Sequence, residues 1–296
     1  MTKDILYSDL LDIWFADHRL RIAASTAYGY EMALPYIKKY FNAIYAADIT
    51  QEMIYDYIQY LETVMAPTSV RLYCNIINIS MNYGVKYHYL FYNPAWDVAF
   101  PRRARAEVGS FTSEEVYLLL ETDGPEWVKD GIMIAFRTGM RPGEIYALKW
   151  SDIHFNQRFI SVQRAISRAN STVKLKATKT VAGIRRIDID YKLTAYLMQM
   201  HEGVDGEYLF PGRKREYRVP WNLSKYLKDM CNRAGIPPRD FYSLRHTHAT
   251  VSMEHGLHPK IVQERLGHSS CKITMETYSH VSPTLQQEAV KIWEEI

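Results

Sequence analysis

The sequence predicts a mainly α-helical chain in two units: a helical bundle over residues 1–100 and a mainly helical α+β domain over residues 110–296 with a small antiparallel sheet. Three observations predict this. Apolar residues recur at helical spacing through the first hundred positions. The stretch "FPRRARAEVGS" then brings three arginines, Arg102, Arg103 and Arg105, and no periodicity. Beyond it the pattern is helical again, apart from short alternating runs between residues 158 and 190. A length of 296 residues suits two domains of ordinary size.

In the first unit, "TQEMIYDYIQYLE" is the clearest helix. Thr50 can cap it, Glu52 lies in its first turn, and Ile54, Tyr57, Ile58 and Leu61 share a face. "PTSVRLYCNIINISMNYGVKY" predicts a second helix, opened by Pro67, with Val70, Tyr73, Ile76, Ile77 and Tyr83 on one side. Asn93-Pro94 marks a turn. Residues 101–109 read as an exposed basic linker, either solvated or facing a polyanion. The second unit opens at "FTSEEVYLLLE", where Thr112 and Glu115 have capping-box spacing. The helix in "WVKDGIMIAFRTG" ends at Gly139, and Pro142 stands where a helix can restart. "RFISVQ" predicts a strand, and "TVKLKATKTVAGIRRIDID" predicts two strands folded into a hairpin around "VAG".

Composition narrows the class. A hydrophobic content of 47% and a charged content of 23% are those of an ordinary folded protein. Cys74, Cys231 and Cys271 are odd in number and scattered, with no CxxC spacing, so neither a disulfide framework nor a structural zinc is expected, and a reducing compartment is. The N-terminus has no signal-peptide pattern, and no apolar run approaches the roughly 20 residues of a membrane span. The net charge of +3 is uneven: residues 1–100 carry 7 Lys and Arg against 10 Asp and Glu, the remainder 29 against 23. A polyanionic partner is compatible with that surplus, which is small.

Four stretches carry the candidate chemistry. In "TGMRPGEIYALKWSDI", Arg141 lies between Gly139 and Gly143, with Glu144 three residues on; an arginine at a Gly-rich helix entrance can aim its donor fork at an anion. In "KATKTVAGIRRIDI", Lys179 precedes the expected hairpin turn. In "FYSLRHTHAT", Arg245 opens a helical run beside Tyr242, His246 and His248. In "LGHSSCKITMETYSHV", Tyr278 comes ten residues after His268. Taken singly, each has an ordinary structural reading as an ion-paired arginine, an exposed strand lysine or a packing tyrosine.

Their order is not ordinary. "TGMRPGEI", "KT…IRRI", "LRHT…AT", "LGHSS" and "TMETYSHV" resemble the boxes of the tyrosine recombinase (phage integrase) family, and "STAYGYEMAL" and "VKYHYLFYNPAWDV" resemble its helical, SAM-like core-DNA-binding domain. The look is closest to integrases of Gram-positive temperate phages and conjugative elements. The resemblance implies transesterification at a DNA phosphodiester, in which a protein mainly positions groups and stabilises charge. Arg141 and Arg245 would grip the nonbridging oxygens, Lys179 would protonate the leaving 5′-oxygen, and His268 would donate to the phosphate or manage the nucleophile's proton. Tyr278 would attack and form a 3′-phosphotyrosine. Glu144 would orient the arginines, or serve only as a helix-start acid. No metal or cofactor is implied. The family's usual histidine three residues before the second arginine is here Tyr242, which can donate to a phosphate oxygen but cannot act as a base near neutral pH unaided.

The implied partners are double-stranded DNA sites, further copies of the chain in a tetramer on two sites, and an excision or DNA-bending factor, in a bacterial cytoplasm at the nucleoid. With helices starting near residue 5, no arm-binding domain is expected. "PTLQQEAVKIWEEI" predicts a tail helix whose stripe of Leu285, Ala289, Ile292, Trp293 and Ile296 would pack on its own domain or, as the resemblance implies, dock on a neighbouring protomer. The alternatives are a Xer-type dimer-resolving recombinase, a type IB topoisomerase-like enzyme and a catalytically silent DNA-binding protein.

Overall fold

A computed structural model of the chain describes residues 4–100, 109–169, 172–177, 183–203, 206–213, 215–268 and 270. The chain divides into two compact units, the first made mainly of residues up to 106 and the second mainly of those from 107 on. Among the described residues no helix is long and apolar enough to cross a membrane.

The first unit is a helical bundle of α1 (Tyr7–His18), α2 (Ala24–Tyr40), α3 (Gln51–Val64) and α4 (Pro67–Lys86). Thr50 caps α3 by accepting from the Met53 N–H at 3.2 Å, a bond typically worth about 1 kcal/mol. Ile54, Tyr57, Ile58 and Leu61 are all buried, so the expected apolar face is the core face. Helix α4 starts with Pro67 at its first turn and packs against α1, α2 and α3. Val70, Tyr73, Ile76 and Ile77 are buried there, and Tyr83 packs at the core's edge. The Asn93 carboxamide closes the following turn, donating to Asn78 and Asn82 and accepting from the Ala95 N–H.

The second unit begins with α5 (Ser113–Glu121), whose Thr112–Glu115 capping box forms in full. Helix α6 (Glu126–Thr138) ends at Gly139 and the one-turn α7 (Pro142–Ile145) restarts at Pro142. Strands β1 (Ile153–His154), β2 (Phe159–Val162), β3 (Arg164–Ala169), β4 (Thr172–Ala177) and β5 (Arg185–Asp188) follow. Then come α8 (Tyr191–His201), α9 (Leu223–Ala234), α10 (Ser243–Glu254) and α11 (Pro259–Leu266). One core joins α5 to α10 with β1, β2 and β5, with Ile132, Tyr146, Ile187, Leu193, Leu227 and Leu244 fully enclosed, and α11 packs in a smaller cluster of Ala249, Val262 and Leu266.

The strand pairing corrects the expected hairpin. β5 does not fold back on β4. It lies antiparallel to β2, with Ile160 opposite Ile187 and Val162 opposite Arg185, in a sheet of order β1-β2-β5. β4 pairs with β3 in a separate two-stranded sheet. Burial decides between these partners. Ile160 and Ile187 are both 0% exposed across the β2–β5 pair, whereas Val173 and Leu175 of β4 are only half-buried. The strand with a core face is recruited to the core sheet.

Candidate active site

The site starts at the α6–α7 turn. Gly139 ends α6 in the left-handed region, at φ 66°. A Cβ there would also stand 2.6 Å from Leu266 Cδ2 and 2.7 Å from His248 Cδ2, so glycine answers both the conformation and the crowding. Arg141 is extended, as a residue before proline must be, and Pro142 sets the first helical position. A Cβ on Gly143 would come 2.5 Å from the Ile166 carbonyl oxygen, so β3 packs straight onto this turn. Glu144 then reaches back to accept the Arg141 backbone N–H at 2.9 Å.

Three guanidiniums converge on this turn. Glu144, 3% exposed, accepts from Arg141 Nη1 at 2.9 Å and, on both oxygens, from Arg185 of β5 at 3.1 and 2.8 Å. Arg141 Nη2 also reaches the Gly267 carbonyl at 3.4 Å. Arg245, at the start of α10, is 1% exposed. Its Nη1 donates to the Gly139 carbonyl at 2.8 Å and its Nη2 to the Leu266 carbonyl at 2.7 Å. Among the described residues no carboxylate forms an ion pair with Arg245; two backbone carbonyls hold its fork, and the Glu144 charge favours its ionised form from further away. Glu144 pairs with Arg141, and its second partner is Arg185 and not Arg245.

The electrostatics follow from the burial. Arg245's pKa is pushed down to about 10, by desolvation first and then by the nearby charge of Arg141. It stays charged at neutral pH. Burial alone would raise the Glu144 carboxyl, but the hydrogen bond and charge of Arg185, joined by those of Arg141, hold it below the usual range. His268, two residues past the end of α11, is half-buried and pushed down to about 4 by desolvation and then by Arg245, Arg141, His246 and Arg185. It is therefore a neutral imidazole at pH 7. Its backbone is fixed at both ends: its N–H donates to the Gln263 carbonyl at 3.1 Å, and its carbonyl accepts from Gln263 Nε2 at 3.0 Å.

Tyr242 immediately precedes α10 and is 39% exposed. Its ring lies 5.9 Å from the Arg245 guanidinium and edge-on to His246 at 5.2 Å. His246 is half-buried, and desolvation followed by the Arg245 charge lowers its pKa. His248, by contrast, is structural. Its Nδ1 donates to the Phe136 carbonyl at 2.8 Å and its Nε2 accepts from Arg265 at 3.4 Å. Thr247 likewise works in packing: its Oγ1 donates to the Ser243 carbonyl and accepts from the Phe111 N–H.

The structure thus brings Arg141, Glu144, Arg245, His268 and Tyr242 together from three separate stretches. Lys179, Tyr278, Arg102, Arg103, Arg105 and the expected tail helix lie outside the described residues. Arg185 is a member that the motif boxes did not single out. A signal was present: in "IRRI" it shares the buried strand parity with Ile187 and Ile189, while Arg186 faces out.

Residues 110–284 match the phage integrase family, and residues 6–62 match the phage integrase N-terminal SAM-like domain. The chain belongs to the phage integrase family. It is a tyrosine site-specific recombinase. Among its relatives is a "Tyrosine recombinase XerC-like" of Caldanaerobacter subterraneus subsp. tengcongensis, 27% identical over 98% of this chain and 83% of the relative. The ICEBs1 integrase of Bacillus subtilis is 26% identical over 86% of this chain and 73% of its own. In fold the chain resembles the Tn1549 transposon integrase in complex with circular intermediate DNA, with a TM-score of 0.84 at 15% identity over 96% of this chain and 99% of that one. It also resembles the lambda integrase tetramer bound to a Holliday junction, with a TM-score of 0.75 at 18% identity over 93% and 78% of the two chains.

Proposed function

We propose that this integrase-family recombinase cuts and rejoins double-stranded DNA through a 3′-phosphotyrosine at Tyr278, to integrate and excise a mobile element. The observation that carries the reading is Arg245: a buried, charged guanidinium with carbonyl partners, facing a second guanidinium at Arg141, is a receptor for an anion. The anion is the scissile phosphate. Arg141 and Arg245 would neutralise its nonbridging oxygens, which is most of what phosphoryl transfer asks of a protein. His268, held neutral, would donate to the same phosphate or take the phenol proton as Tyr278 attacks. Lys179 would protonate the leaving 5′-oxygen. Tyr242, beside Arg245, would add a hydroxyl donor to a phosphate oxygen without taking part in proton transfer. Cations supply the neutralisation that a metal would otherwise give.

The lambda integrase tetramer on a Holliday junction supports a tetramer on two sites here. An excision or DNA-bending factor would set direction. The XerC-like relative, matched along nearly the whole chain, favours dimer resolution as the second reading. The DNA that the protein selects from its host's sequences decides between them: an element's ends, or one chromosomal or plasmid site.

The chemistry has its own test. Tyr278→Phe should bind the selected site like the wild type and form no covalent protein–DNA complex on a nicked duplex. A covalent adduct that survives in Tyr278→Phe would move the nucleophile elsewhere, with Tyr242 the next candidate.

A further inference from the structure

Arg185 lies at the centre of the cluster, and the proposed chemistry gives it no contact with DNA. Its side chain is 7% exposed, against 58% for Arg186 beside it. Its Nη1 and Nη2 meet the two Glu144 oxygens at 3.1 and 2.8 Å, a two-point grip. Its Nε donates to the Arg265 carbonyl at 2.7 Å, and its Nη1 also reaches the Gly183 carbonyl at 3.3 Å. Arg265 is the penultimate residue of α11, which runs straight into the Leu266-Gly267-His268 turn.

A carboxylate as buried as Glu144 needs a full counter-charge. Were Arg141 its sole partner, the two would close into a side-by-side pair and the Arg141 fork would be occupied. Arg185 takes both carboxylate oxygens instead. Arg141 then donates to Glu144 from one side-chain nitrogen and keeps 37% of its side chain exposed. The cluster of Arg141, Arg185, Arg245 and Glu144 carries three positive charges and one negative. The negative one is answered on both oxygens by Arg185, the more buried of its two arginine partners.

We propose that Arg185 is a positioning residue for strand cleavage: by neutralising Glu144 it leaves Arg141 free to meet the DNA phosphate, and by holding the Arg265 carbonyl it fixes the turn that carries His268. The inference rests on the phosphotyrosine reading above. Removing Arg185 alone leaves Glu144 to capture Arg141. Removing the Glu144 charge as well releases Arg141, because a pair deleted together leaves no buried charge uncompensated.

The test uses the full chain and a nicked duplex carrying the site that the wild-type protein selects from a random-sequence pool. Site affinity, single-turnover covalent trapping and thermal melting are measured for each variant. Arg185→Gln should bind within about threefold of wild type and cleave on the order of 100-fold more slowly. The double variant Glu144→Gln/Arg185→Gln should recover roughly tenfold or more of that rate. Arg185→Lys, which keeps the charge without the fork, should fall between Arg185→Gln and wild type. If Arg185→Gln does not fold, Arg185→Lys decides: slowed cleavage at unchanged site affinity supports the proposal, and a wild-type rate overturns it. A double variant no faster than a folded Arg185→Gln, or Arg185→Gln cleaving at the wild-type rate, also overturns it. If the wild-type chain itself forms no covalent complex on its selected site, the phosphotyrosine reading falls, and this inference with it.

Discussion

At the scale of single residues, legibility depended on how local the partner is. Arg141, Glu144, Arg245 and His268 stand in short stretches whose glycines, prolines and spacing mark them out, and all four meet in one site. Arg185 was concealed because its partner, Glu144, is 41 residues away in sequence. Strand parity showed that a charge was headed inward but not what would receive it. His248 is the converse case: it sits in a functional-looking "RHTH" run yet bonds to Phe136 and Arg265 behind the site. That yields a pH prediction. Burial, then the Arg265 charge, depresses its pKa from 6.5 to about 4 against the raising effect of the Phe136 bond. The folded chain keeps this histidine neutral while the unfolded chain protonates it near 6.5, so stability is full above pH 6.5 and falls as pH drops towards 4. From pH 6.5 to 5 the loss should approach about 2 kcal/mol. His268 acts in the same direction and, being half-exposed, by less. His248→Asn keeps an N–H for the Phe136 carbonyl and cannot titrate. Its chemical-denaturation stability should change less between pH 7 and 5 than that of the wild type; equal slopes would show that His248 is not the source.

At the scale of elements, helices were legible and strand partners were not. A cap, a proline at the first turn and a 3.6-residue apolar stripe are all local, and α3, α4, α5 and α6 appear where those signals put them. A strand's alternation fixes which face is apolar but not which neighbour it joins. β5 therefore pairs with β2, across the intervening β3 and β4, because Ile187 finds Ile160 there. That pairing also carries Arg185 to Glu144, so the unexpected strand order and the unexpected arginine are one finding. The α6–α7 turn is the element on which the site hangs, and Gly139 is its most constrained position. Gly139→Ala would hold an alanine at φ 66° and drive its Cβ against His248 and against Leu266, whose carbonyl accepts from Arg245. The left-handed conformation alone costs about 1–2 kcal/mol, and the contacts add to it. We expect Gly139→Ala to lose roughly 2–4 kcal/mol of stability by denaturant titration. A loss below that of an ordinary surface substitution would mean that the turn relaxes freely and does not hold the site.

At the scale of the whole molecule, the chain keeps its positive surplus beyond residue 100, in the same part of the sequence as the arginine cluster, while residues 1–100 are slightly acidic. In the proposed tetramer each protomer would have to cut only when its neighbours are in place, and the sequence after Tyr278 offers a means. From Pro283 the apolar residues Leu285, Ala289, Ile292, Trp293 and Ile296 follow helical spacing, with Gln286, Gln287, Lys291, Glu294 and Glu295 largely outside the stripe. A helix of about 14 residues is marginal in isolation, so such a stripe calls for a groove. If the groove belongs to the next protomer, the tail's occupancy in trans bears on the Tyr278 segment, only a few residues upstream, and cleavage becomes conditional on assembly. Removing residues 284–296 should then leave one-site binding near normal, by gel shift, and abolish the two-site complex and strand exchange. A truncated protein that melts far below the full chain, or loses one-site binding, would show instead that the tail packs on its own domain. In that case control of cleavage would have to be sought in the Glu144–Arg185–Arg141 cluster itself.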